Sequence, residues 1–120
     1  MKDKGNRDLI GRTTQFALQI IQLYSALPKT TVAQVLGRQL LRSGTSVGAH
    51  YREANRAKST ADFISKIEGG LQELDETSYW LDLLTASATA KSSGIEQAAR
   101  ETEELISIFV AVVKAAKRVR

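Results

Sequence analysis

The stretch from Thr31 to Lys58, TVAQVLGRQLLRSGTSVGAHYREANRAK, decides the fold. Val32, Leu36, Leu40, Ser43, Val47, His50 and Ala54 recur in steps of three and four, and this places them on one face of an α-helix for about six turns. Thr30 or Thr31 can cap its start, since a hydroxyl accepts a hydrogen bond from a free N–H of the first turn. The middle of this helix is unusually rich in small residues: Gly37, Ser43, Gly44, Ser46, Gly48 and Ala49. A glycine inside a helix costs about 1 kcal/mol relative to alanine. Close packing should therefore offset the cost, or else the helix is weakened and kinked there.

Three more amphipathic segments surround it. Phe16, Ile20, Leu23 and Leu27 form a stripe that predicts a first helix over residues 12–27, stopped by Pro28, which disfavours helix in the residue before it. Ser59-Thr60-Ala61-Asp62 reads as a capping box that opens a third helix over residues 60–90, with Phe63, Ile67, Leu71, Leu74, Ser78, Leu81 and Leu84 inward. Ser93-Gly94-Ile95-Glu96 reads as a second box, opening a fourth helix over residues 94–118. The second helix is expected to span residues 31–58. No segment alternates as a strand does. Four helices joined by short turns predict one all-α domain over residues 1–120, an antiparallel up-and-down four-helix bundle.

Composition narrows the chemistry. The 120 residues include no cysteine and one proline, which excludes disulfides, thiolate zinc sites and cysteine nucleophiles and fits a cytoplasmic setting. No apolar run approaches the ~20 residues of a membrane span, and the charged start is not followed by a signal-peptide core. A di-iron bundle site needs two Glu-x-x-His motifs, whereas this chain has one histidine, in the reversed order His50-Tyr51-Arg52-Glu53. There is no nucleophile elbow and no phosphate-binding glycine loop after a strand. The expectation is no enzyme, no metal and no cofactor.

Charge is segregated along the chain. Residues 29–58 hold six basic residues and one acid, while residues 62–82 hold six acids and one base. A hairpin about Lys58-Ser59 would set Arg42 near Glu76, Ser46 opposite Glu73, His50 against Gly69 or Gly70, and Glu53 near Lys66, with glycine making room for the imidazole. Net charge is +4. Lys114, Lys117, Arg118 and Arg120 crowd the end of the fourth helix, where cations also favour the helix macrodipole. Together with Arg38, Arg52, Arg56 and Lys58 they are the candidate nucleic-acid contacts. Trp80, with Lys66, Glu73 and Glu76 on a flank of helix three, reads either as a protein-contact anchor or as an edge-of-core residue.

Residues 42–54, RSGTSVGAHYREA, resemble the Arg-Ser-x-x-Ser-Val/Ile-x-Ala-Asn-x-x-Glu-Ala/Gly signature of small bacterial proteins named for reading frames in intervening sequences of 23S rRNA genes. Ser59 to Phe63 and the segment with Glu73, Glu76, Tyr79, Trp80 and Leu81 are similar to the family's later motif. The likeness runs from about Asp8 to Val113 and departs at His50, where the pattern has asparagine. It implies structural roles for Arg42, Ser43, Ser46, His50, Glu53, Glu73, Glu76 and Trp80, and a cytoplasmic ring, typically a homopentamer, without established enzymatic activity. A relative in diversity-generating retroelements forms a similar basic barrel that works with a reverse transcriptase and nucleic acid. The reading that follows is an oligomeric bundle whose basic surfaces bind RNA or DNA. The alternative is a protein–protein scaffold or adaptor for an unidentified protein.

Overall fold

The apolar stripes assemble into four antiparallel helices in a computed structural model that describes residues 2–87, 89 and 93–119. Helix α1 spans Lys2–Ser25, α2 Thr31–Ala54, α3 Thr60–Ala86 and α4 Ser93–Val119, and no strand occurs among the described residues. The bundle measures about 48 × 22 × 19 Å. Its axis is filled by Phe16, Ile20, Leu40, Val47, Ile67, Leu74, Leu81, Leu84, Leu105 and Phe109, each essentially inaccessible to solvent. Four buried hydroxyls do not disrupt this core. Thr13 and Thr102 donate to the carbonyls of Leu9 and Ala98 at 2.8 and 2.7 Å. Thr77 Oγ1 lies 2.8 Å from the Glu73 carbonyl and 2.9 Å from Ser43 Oγ, so α2 and α3 share a buried polar contact.

Three helix boundaries differ from the sequence reading by four residues or more. Helix α1 begins ten residues before the expected residue 12, because Leu9 and Thr13 extend its inward stripe while Gly5 and Gly11 face open space. The Tyr51 hydroxyl also donates to Asn6 Oδ1 at 2.6 Å, tying that first stretch to α2. Helix α2 ends at Ala54, short of Lys58. The Arg56 and Ala57 N–H groups donate three residues back, to Glu53 and Ala54, and this tightens the chain into a turn. Helix α3 ends at Ala86 with Ser87 as its cap, before the expected residue 90. Residues 88 and 90, which that longer helix would have included, lie outside the described residues.

The caps follow the sequence with two changes. Ser59 Oγ accepts from Asp62 N–H at 3.0 Å, as a capping box requires. Asp62 Oδ2 returns the contact to Lys58 N–H at 3.2 Å instead of to Ser59. Thr30 caps α2 by accepting from Ala33 N–H at 3.2 Å. Helix α4 starts at Ser93, so Ser93 is its first helical residue and its cap falls outside the described residues.

Candidate functional site

The signature residues of α2 and the carboxylates of α3 meet on one outer seam of the bundle. Arg42 spans it, its guanidinium pairing with Glu76 and reaching Glu73 Oε1 at 3.4 Å. One turn of α2 further on, Ser46 donates back to the Arg42 carbonyl at 2.6 Å instead of meeting Glu73. The His50 ring continues the line: its Nδ1 lies 3.7 Å from Glu53 Oε1 and its Nε2 3.6 Å from Glu73 Oε2. Glu53 thus faces His50 and not Lys66, which pairs with Asp62 at 3.6 Å within α3. The two carboxylates approach different ring nitrogens. Among the described residues no group of three or more His, Asp or Glu side chains is arranged to hold a metal ion.

Glycine makes this seam possible. A Cβ at Gly69 would lie 2.9 Å from His50 Nδ1, and one at Gly70 would lie 2.7 Å from the Phe109 ring. Those separations are closer than packed atoms tolerate, so the imidazole fills space left open at Gly69 and the Phe109 ring of α4 fills space left open at Gly70. The glycines of α2 serve a different neighbour. Gly37, Gly44 and Gly48 face Tyr24 and Leu27, Ile20 and Thr13, which lie on α1 except for Leu27 in the turn after it. Close approach to α1 offsets their helix cost, and α2 runs unbroken through them.

Trp80 sits one turn beyond Glu76, half-buried against the core, with its Nε1 buried and without a hydrogen-bond partner. Tyr79 is 55% exposed and leans on it, with ring centroids 5.0 Å apart.

Most of the basic candidates gather at one end. Arg52 lies in the last turn of α2 and donates to Thr14 Oγ1 at 3.1 Å, and Arg56 and Lys58 follow in the exposed α2–α3 turn. Helix α4 runs antiparallel to α3 and brings Lys114, Lys117 and Arg118 to the same end, where Lys117 Nζ is 3.8 Å from Glu68. Among the acids at this end, Asp62 pairs with Lys66 and Glu68 with Lys117, Glu53 lies beside the His50 ring, and the exposed Asp8 of α1 makes no ion pair among the described residues. Arg38 is not brought here: it lies near the level of Trp80, some 14 residues of helix or about 21 Å away. Arg120 lies outside the described residues. The sequence reading missed Arg7, exposed on the newly recognised first turns of α1 at the same end. Its signal was Leu9, one helical step before Thr13.

A second feature left no trace in the sequence reading. Arg12 crosses from α1 to α4, donating from Nε and Nη2 to Glu101 at 2.7 and 2.9 Å and to Glu104 at 2.6 Å. These hydrogen bonds hold the guanidinium pKa above its already high ordinary value, Glu101 contributing most. Around this clamp the α1–α4 seam opens into a groove of about 730 Å³, lined by Arg7, Gln15, Gln19, Gln97 and Arg100 among others.

An all-helical antiparallel bundle with a glycine-relieved α2–α3 seam and a basic end is the class these features define. The chain belongs to the 23S rRNA-intervening sequence protein family, whose model matches residues 6–111. It is similar to a crystal structure of a protein of unknown function from the S23 ribosomal protein family of Bacteroides thetaiotaomicron VPI-5482. That likeness has a TM-score of 0.83 and 35% identity, over 91% of this chain and 97% of the other. No curated protein matches the chain. Among the described residues, no helix is long and apolar enough to cross a membrane.

Proposed function

We propose that this protein is a non-enzymatic, cytoplasmic oligomer that binds RNA or DNA through the basic end of its bundle. The observation that carries the reading is the convergence of Arg52, Arg56, Lys58, Lys114, Lys117 and Arg118, with Arg7 beside them, at one end where these cations outnumber the nearby acids Asp8, Glu53, Asp62 and Glu68. Phosphate binding releases condensed counterions, so affinity grows with each cation engaged. In a ring of five subunits the per-chain charge of +4 becomes about +20, and the basic ends repeat around one axis. Family membership supports an RNA-related role by association.

Fluorescence anisotropy with single-stranded RNA and duplex DNA, across a salt series, tests it. The double variant Lys117→Glu with Arg118→Glu should bind at least ten-fold more weakly at low salt. Its slope of log K against log salt should be shallower by about 1.5 for single strands. Binding and slope equal to wild type would remove these residues from the interface. Absence of binding by the wild type at low salt would remove the nucleic-acid reading itself.

A further inference from the structure

His50 is the one histidine of the chain, and it is held between carboxylates from two helices. Its Nδ1 faces Glu53 of α2 at 3.7 Å and its Nε2 faces Glu73 of α3 at 3.6 Å. A neutral imidazole has a single N–H, so it donates towards one acid and turns a lone pair on the other. Both separations exceed hydrogen-bond length, and the buried Nδ1 has no hydrogen-bond partner among the described residues. A doubly protonated ring donates on both sides and meets a negative charge on each. A Cβ at Gly69 would lie 2.9 Å from Nδ1, so the ring fills that notch and packing keeps it between the two acids in either state. Arg42 reaches Glu73 but pairs more closely with Glu76, Lys66 pairs with Asp62 along α3, and α4 brings the Phe109 ring against Gly70. Three carboxylates, Glu53, Glu73 and Glu76, therefore share one guanidinium, and the seam accommodates a second cation.

The same ring stands at the edge of the basic end. His50 precedes Arg52 by two residues and Arg56 by six, at most about 9 Å along the helix axis and within one Debye length at about 0.1 M salt. Glu53 lies between those two arginines, in the last turn of α2. We propose that His50 is a proton sensor for the basic end: its second proton adds a charge there and draws Glu53 onto the ring, so a nucleic-acid phosphate backbone binds the protonated chain more tightly. The inference rests on the proposed function and names how that site is regulated. Linkage makes the effect reciprocal, since a bound phosphate backbone favours the proton on His50 by the same factor by which the proton tightens binding. Imidazole is the side chain whose charge ordinarily changes between about pH 5 and 8, so affinity rises as pH falls through that range. Asparagine, which the helix-two signature has at this position, takes up no proton.

The test is fluorescence anisotropy with a single-stranded RNA at one low salt concentration, at about pH 5.5 and about pH 8, on wild type, His50→Asn and His50→Gln. Circular dichroism checks that the variants fold. Wild type should bind about two- to five-fold more tightly at the lower pH, the size that one charge exerts on one to a few phosphates at this distance. Both variants should lose most of that difference. A second readout needs the wild type alone. With a single histidine in the chain, the ring C–H resonances report its charge directly, and their titration midpoint should move up by about 0.3–0.7 of a pH unit when the RNA is added. Variants that keep the wild-type pH dependence, or an imidazole midpoint that RNA leaves unmoved, would overturn the sensor and leave the basic end as the binding site. A wild type that binds no RNA at either pH would overturn both.

Discussion

The α2–α3 seam and the α1–α4 seam are built by opposite means. Between α2 and α3, missing side chains let the helices approach. Gly69 accepts the imidazole of His50, Gly70 leaves room beneath it for the Phe109 ring of α4, Ser43 meets Thr77 in the buried layer, and Arg42 closes the outer edge. Between α1 and α4 the flank is open and polar. A groove lined largely by glutamines and arginines runs along it, and Arg12 bridges it to Glu101 and Glu104. The difference teaches where each seam keeps its stability. The first depends on volume, which a single methyl group perturbs, and the second on exposed charge, which salt screens.

The sharpest way to break that contrast is to fill the tighter seam. Gly70→Val should destabilise the protein by about 2–3 kcal/mol, because its branched side chain overpacks against Phe109 of α4 and crowds the His50 Cβ of α2, which outweighs the gain from replacing a helical glycine. Chemical denaturation with an unchanged m-value would check it. A variant as stable as wild type would mean that the Phe109 ring has room to move. Arg12→Met on the other seam should cost about 1 kcal/mol or less, since the guanidinium side chain is 36% exposed. Its effect should shrink in high salt, whereas that of Gly70→Val should not. Equal salt responses would erase the distinction between the seams.

The smallest effect concerns Tyr51, which joins α2 to the first turns of α1. Burial raises its phenol above the ordinary value of 10.0. A raised folded-state pKa contributes stability that is complete below the unfolded value and lost as pH climbs through the folded one. Wild type should therefore lose stability more steeply than Tyr51→Phe above about pH 10, measured by thermal melts across that range. Parallel profiles would show that the phenol titrates alike in both states.

Much of the bundle was legible in spacing alone. The steps of three and four through Leu40, Ser43 and Val47 define α2, and counting back from the Lys58-Ser59 turn pairs Arg42 with Glu76 and His50 with Gly69 or Gly70, of which the imidazole rests on Gly69. Hairpin partners are near in sequence, so one turn sets their register. The same counting misassigned Glu53, because Glu53 and Lys66 each meet a neighbour one turn away on their own helix, His50 and Asp62. It also could not say that the glycines of α2 serve α1, since a helix in a bundle buries two flanks and a single stripe describes only one.

The sequence by itself determined the helices, the order in which they pack, the charge on each and the family. Periodicity, caps and motif are local properties, and local chemistry enforces them. Tertiary structure alone decided that α1 starts at Lys2, that Arg12 reaches residues 89 and 92 positions away, and that cations from α1, α2 and α4 share one end. Those outcomes depend on which faces meet once the chain has closed on itself, and the energy that fixes them belongs to pairs of helices rather than to any one.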